Sequence, residues 1–307
     1  MEKVKVFSPA SVANVACGYD IFGFALNGIG DYIELKKRPD NILVITDVEG
    51  ANLPLTPEKN VATVAVKSLL DELGSDQGFE MKIRKEVIPG SGLGSSASSA
   101  AGAVYAANIL LDSPLSKMEL VKHAMEGEAL ASQKPHADNI APALLGGFTV
   151  VRSCEPSIDI FNISFPEELN VLITFPQIEV KTAEAKRILG DSVSLDKARI
   201  QWGNVAGLVA GLTSGDWGLI GRSLEDVIAE PARKGLIAKY DVIKDLALNS
   251  GAIGFNISGS GPSMFALYNE EKDLEPLKST IRDEYAAINI DCIFHQSKIN
   301  TQGTVVI

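Results

Sequence analysis

Cysteine is scarce in this chain of 307 residues, which carries only Cys17, Cys154 and Cys292. Three thiols, odd in number and far apart, exclude a disulfide framework and offer no metal-ligand spacing; such usage fits a reducing cytoplasm. Positive charge is also short: 28 Lys and Arg against 39 Asp and Glu leave a net charge of −11 and a pI near 4.9. A chain this acidic is not suited to coating nucleic acid or an anionic membrane, and neither is expected as a partner. No apolar run approaches the ~20 residues of a membrane-spanning helix. The opening MEKVKVFSPA alternates as a strand does and does not read as a signal peptide. Internal repeats and low-complexity segments are missing as well.

What the chain does have is a core. Hydrophobic residues make up 46% and charged residues 22%, the composition of a soluble globular protein, and the length allows one large or two moderate domains. The stretch Pro89-Gly90-Ser91-Gly92-Leu93-Gly94-Ser95-Ser96-Ala97-Ser98-Ser99 organises the rest. Phe79 to Ile88 before it reads as a strand, and Ala97 to Leu111 after it is a long, Ala-rich apolar helix. Three glycines allow left-handed backbone and close approach to a ligand. Ser95 or Ser96 can cap the helix, whose free N–H groups and positive dipole end form an anion site. A polyphosphate is the anion expected there. No Lys follows Gly94, so this is not a Walker loop, and glycines at every second residue do not make a dinucleotide fingerprint.

Lys3 to Phe7 is expected as a strand, followed by a segment of small residues, Ala10 to Asp20, in which Asn14 and Asp20 supply amide and carboxylate groups. Asp31 to Lys37 and Ile42 to Val48 read as a strand pair around the turn Pro39-Asp40-Asn41. Asn60 caps an amphipathic helix to Leu73, and Ser116-Lys117-Met118-Glu119 is a capping box opening a helix to about Ser132. Cys154 to Ser157, polar and containing a proline, is the expected boundary, giving domains 1–155 and 156–307. Helices at Lys181 to Leu189, Asp196 to Leu212, Trp217 to Ala229, Tyr240 to Ser250 and Leu274 to Tyr285 alternate irregularly with strands at 158–163, 171–175, 253–257, 264–268 and 290–295. Without regular βαβ repetition, this predicts an α+β fold.

The loop PGSGLGSSASS resembles the phosphate loop of the GHMP kinases, which phosphorylate small molecules. SPASVANVACGYD near the start is similar to that family's first motif in its homoserine kinase form, and Ile257-Ser258-Gly259-Ser260-Gly261-Pro262-Ser263 to its third motif. His136-Ala137-Asp138-Asn139, Thr182-Ala183-Glu184-Ala185 and Asp226-Val227-Ile228-Ala229-Glu230-Pro231-x-Arg233 point to the same branch. The resemblance spans Val6 to about Leu267. It implies an N-terminal α+β domain with a left-handed βαβ unit, a C-terminal ferredoxin-like domain and a site between them. It further implies transfer of the ATP γ-phosphoryl to the side-chain hydroxyl of L-homoserine, on the route to threonine, by a homodimer. An acceptor other than homoserine, or a non-catalytic binding protein of the same fold, are the alternatives.

On that resemblance, Pro89, Gly90, Ser91, Gly92, Leu93, Gly94, Ser95, Ser96 and Ala97 cradle ATP, with Asn60 and Val61 at the adenine pocket. Helix capping explains Asn60 equally well. Ser96 and Glu128 match the family's Mg²⁺ contacts, and Ser258, Gly259, Ser260 and Gly261 form the third motif. Asn14, Asp20, His136, Asn139 and Arg233 carry substrate roles. Asp20 can pair an ammonium, and Arg233 can grip a carboxylate in a bidentate fork. Two places depart from the family. Lys186, with Arg187 beside it, stands where relatives have the Arg that helps bind the substrate carboxylate. Glu86 holds the place of a usual Lys, with Lys85 one position earlier. Asn139 lies where mevalonate-type relatives place a catalytic Asp, so a dedicated base is not evident; Asp138 is the nearest alternative.

Overall fold

The computed structural model describes residues 1–132, 136–180 and 182–307, apart from the side chains of residues 131, 132, 182, 183 and 186. Its first sheet contains β1 (Lys3–Ala13), β2 (Phe22–Arg38), β3 (Leu43–Glu49), β4 (Gly78–Arg84), β5 (Phe148–Ser153), β6 (Asp159–Ile163) and β11 (Val305–Val306). The order is β11-β1-β2-β4-β3, with β5 branching from the other end of β2 and pairing β6. Four helices cover one face: α1 (Val61–Leu73), α2 (Ser95–Leu110), α3 (Lys117–Ser132) and α4 (Ala137–Leu145). Val6, Ile33, Leu35, Met81 and Ile83 from the strands pack there against Leu69, Val104 and Leu120. α2 is buried almost all round, and this explains its small residues. A Cβ added at Gly102 would stand 2.7 Å from the Ile33 side chain.

The second sheet has the order β10-β7-β9-β8, all antiparallel, from β7 (Asn170–Pro176), β8 (Gly254–Ile257), β9 (Met264–Tyr268) and β10 (Cys292–Lys298). Between β7 and β8 run α5 (Thr182–Arg187), α6 (Leu195–Ser214), α7 (Trp217–Ser223), α8 (Ala229–Arg233) and α9 (Tyr240–Asn249), and α10 (Glu275–Ala286) precedes β10. That is the split β-α-β-β-α-β arrangement of ferredoxin-like folds. An apolar cluster shared by both sheets joins the halves: Phe22, Phe24 and Phe148 meet Val171, Ile173, Phe265 and Leu208. Among the described residues, no helix is long and apolar enough to cross a membrane.

Three expectations are corrected. The segments at 31–37 and 42–48 do not pair, because β4 lies between them; β3 runs parallel to β4, Ile45 opposite Met81. The boundary at residue 155 falls inside the β5–β6 hairpin, and β11 returns to β1 with Val6 opposite Val306, so the first sheet draws on both sides of it. The helix expected from Trp217 to Ala229 ends at Ser223, and irregular backbone separates it from α8. Lys181 lies outside the described residues.

Candidate active site

The glycine loop is held open from both domains. Gly90, Gly92 and Gly94 all take positive φ, +78°, +84° and +66°. Gly92 lies against the second domain: Ser258 Oγ donates to its carbonyl at 2.7 Å, and a Cβ there would stand 2.7 Å from the Ser258 carbonyl oxygen. Ser263 N also donates to the Ser91 carbonyl at 3.0 Å, so the third motif clasps the loop. At Gly94 a Cβ would strike Ser11 Oγ and Asn139 Oδ1. The expected serine cap is not made. Gly94 occupies the cap position, and Ser95 Oγ turns away to the Val87 carbonyl at 2.7 Å. The first turn of α2 therefore has no side-chain cap, and an uncapped helix N-terminus is chemically suited to an anion.

Beneath the loop lies a buried ion pair. Lys85, 6% exposed, bonds through Nζ to the Asp31 carboxylate, to the Ser95 carbonyl at 2.7 Å and to Ser99 Oγ at 2.9 Å. Asp31 also accepts from Ser99 Oγ and from the backbone N–H groups of Glu86 and Val87. All three ammonium hydrogens have protein partners, so Lys85 braces the junction of loop and helix. Burial lowers its pKa, opposed by the Asp31 charge.

A cavity of about 370 Å³ opens between the domains in front of the loop, within the size range of small-ligand sites. Its wall carries Pro89, Gly90, Gly92, Gly94, Ser95 and Ser96, with Glu128 from α3 and Asn60 and Val61 at the start of α1. Asn60 caps α1, Oδ1 accepting from Ala62 N at 3.0 Å, and also lines the cavity. The same wall carries Asn14, Asp20, His136, Asp138, Asn139, Arg233, Gly259 and Ser260, with Asn139 beside Gly94 and Gly259 beside Gly92. Ser91, Leu93 and Ala97 are buried away from the opening, and Ser258 and Gly261 support it from behind. Arg187 is exposed at the end of α5 and does not reach the cavity; the Lys186 side chain lies outside the described residues.

This second group of wall residues is electrically two-sided. Asp20, His136 and Asp138 bring one ligand atom each within 4.8 Å of the others, with His136 Nδ1 3.4 Å from Asp20 Oδ1. Burial, with the charges of Asp20 and Glu128, pushes the Asp138 carboxyl up to about 7. Facing them, Arg233 is held by the Ala185 carbonyl on Nε at 3.0 Å and the Gly259 carbonyl on Nη1 at 3.1 Å, and its guanidinium lies 5.0 Å from the Tyr19 ring centre. Asn139 Oδ1 accepts from Ser11 Oγ at 2.8 Å, which fixes that side chain against Gly94. Sequence reasoning missed Tyr19, Lys59, Leu53, Pro54 and Ser99 as wall residues. Tyr19 sits inside the Gly-aromatic-Asp motif and Lys59 beside Asn60, which were the available signals.

Residues 60–147 match the family model described as GHMP kinases N terminal domain, and residues 208–287 the one described as GHMP kinases C terminal. A homoserine kinase of Chloroherpeton thalassium is 43% identical, covering 94% of each chain. One from Methanococcus maripaludis is 40% identical over 88% of this chain and 89% of its own. The crystal structure of homoserine kinase from Cytophaga hutchinsonii is 44% identical, with a TM-score of 0.96 over 100% of this chain and 98% of that one. A mevalonate kinase from L. major, solved with R-mevalonate, superposes with a TM-score of 0.69 over 97% and 96% at 18% identity, a likeness of fold alone.

Proposed function

This chain belongs to the homoserine kinases of the GHMP kinase superfamily, and from that premise we propose that it transfers the γ-phosphoryl group of ATP to the side-chain hydroxyl of L-homoserine. The products are O-phospho-L-homoserine and ADP. The observation that carries this reading is the pairing, within one cavity, of an uncapped helix N-terminus with Asp20 and Arg233. The first suits a polyphosphate. The second presents a carboxylate and a guanidinium, which complement the ammonium and carboxylate of an amino acid.

Amides of the cavity-lining loop residues Gly90, Gly92, Gly94, Ser95 and Ser96 hold the triphosphate, and the positive end of α2 offsets charge that develops during transfer. Ser96 and Glu128, on the cavity wall beside the loop, offer the hard oxygens that Mg²⁺ takes along with phosphates and waters. The ion when bound supplies charge neutralisation at the phosphates. Asn139, fixed by Ser11 against Gly94, has no basicity with which to take the hydroxyl proton. Catalysis is then mostly alignment and charge stabilisation, which a loose phosphoryl-transfer transition state permits. Asp138 serves the substrate ammonium rather than the hydroxyl. Replacing it, Asp138→Asn, is expected to raise the homoserine KM by about tenfold or more while kcat falls less. Complete loss of turnover with unchanged affinity for both substrates would instead make Asp138 the base.

The direct test measures ADP release with homoserine, mevalonate, galactose and shikimate as acceptors. Homoserine is expected to be turned over far faster than the rest. ATP binding with no homoserine-dependent ADP release would overturn the reading.

A further inference from the structure

Asp20 and Arg233 read opposite ends of the substrate, yet neither sits on a stable support of its own. Asp20 closes a turn in which Asn14, Ala16 and Asp20 all take positive φ, +55°, +47° and +55°, conformations that persist only when surroundings impose them. Arg233 ends α8, a helix of five residues whose cap position, Ile228, makes no side-chain capping bond. Two residues that stand outside the cavity wall connect these pieces.

Asp226, 6% exposed, takes the place of a cap for α8. Its Oδ1 accepts from Ile228 N at 2.8 Å and Ala229 N at 2.9 Å, and Oδ2 from Glu230 N at 2.9 Å. Gln201, reaching across from α6, donates from Nε2 to the same Oδ1 at 3.0 Å and to the Cys17 carbonyl, inside the Asn14–Asp20 turn, at 2.9 Å. Its Oε1 accepts from Val227 N at 3.0 Å. On the far side, Asn14 Nδ2 and Arg233 Nη1 share the Gly259 carbonyl at 3.0 and 3.1 Å, and Asn14 Oδ1 accepts from Asp20 N at 2.7 Å. The bonds close a ring that runs from Arg233 through Gly259, Asn14, Cys17, Gln201 and Asp226 back to α8.

We propose that Gln201 and Asp226 are positioning residues that set the spacing between Asp20 and Arg233, and so tune the site to an acceptor carrying ammonium and carboxylate together. The inference rests on the amino-acid reading above. A buried carboxylate with four donors and a buried amide with three partners have fixed geometry. Removing either lets the turn and α8 shift independently, while the phosphate loop, held by Ser258 and Ser263, stays in place.

The test compares wild type with Gln201→Met and Asp226→Asn on three acceptors: homoserine, 4-hydroxybutanoate, which lacks the ammonium, and 3-aminopropan-1-ol, which lacks the carboxylate. Each variant is expected to lose about tenfold or more in kcat/KM for homoserine through KM, with the ATP KM within twofold and the one-ended alcohols nearly unaffected. Their effects are expected to be non-additive in the double variant, since both act through one ring. Should Asp226→Asn not fold, Gln201→Met alone carries the comparison. An unchanged homoserine KM in folded variants would overturn the proposal. So would a parallel loss on all three acceptors and ATP, which marks a merely structural role. Absence of homoserine turnover by the wild type removes the functional reading itself, and the brace with it, and is told apart by appearing before any substitution is made.

Discussion

At pH 7 the carboxyl of Asp138 is divided between its protonation states, since burial and the charges of Asp20 and Glu128 push it up from 3.8 to about 7. Between those values the native protein holds a proton that the unfolded chain gives up, so this residue's contribution to stability falls as pH rises from about 4 to about 7. Asp138→Asn removes that penalty. The variant is expected to match wild type near pH 4 and to exceed it by on the order of a few kcal/mol at pH 8, read from urea midpoints. Equal midpoints at pH 8 would sink the idea. A cationic substrate favours the ionised carboxyl, so the homoserine KM is expected to fall between pH 6 and pH 8 in wild type and to lose that trend in the variant. Individual residues were legible in unequal measure. Asn60 announced itself as a cap, but Lys85 could not be placed, because nothing local shows that Asp31, 54 positions away, lies buried beside it.

Among the elements, the glycine loop separates two uses of one residue type. A Cβ at Gly90 meets nothing within 4 Å, whereas one at Gly92 meets carbonyl oxygens of Ser258 and Gly261 at 2.7 and 2.8 Å. Gly90→Ala is thus expected to cost only the strain of left-handed backbone, about 1–2 kcal/mol, and to act mainly on the ATP KM. Gly92→Ala is expected to push the loop off the second domain, lower Tm by several degrees more and reduce kcat/KM for ATP at least a hundredfold. Similar Tm values for the two would show that the clasp by the third motif is weak. The loop and α2 could be read from the chain because glycine spacing and an apolar run are local signals. That β4 inserts between β2 and β3 could not, since alternation marks a strand without naming its neighbour. The missing serine cap has the same origin: Ser95 finds a better acceptor in the Val87 carbonyl, brought near by tertiary structure.

For the molecule as a whole, the shared apolar cluster decides whether there are two folding units or one. Phe24 and Phe148 from the first sheet pack with Phe265 from the second, the Phe24 and Phe265 rings edge to face at 6.0 Å. Neither domain can unfold without exposing the other's core, so calorimetry is expected to show a single transition with matching calorimetric and van't Hoff enthalpies. Phe265→Ala is expected to cost about 3–5 kcal/mol and to lower that one transition without splitting it; two resolved peaks in wild type would contradict the shared core. Motif order along the chain indicated two domains but not their interleaving, because the returning strand is only two residues long. That return has a temporal consequence. Val305 and Val306 complete the edge of β1, and Thr304 Oγ1 bonds to Ser8 Oγ at 3.0 Å and to the Ala143 carbonyl at 2.9 Å. On the ribosome, that edge of β1 stays unpaired until residues 305 and 306 have been made. The glycine loop likewise lacks its clasp until residues 258–263 have emerged. During synthesis the glycine loop is therefore expected to stay loose until the second domain's contacts to Ser91 and Gly92 can form.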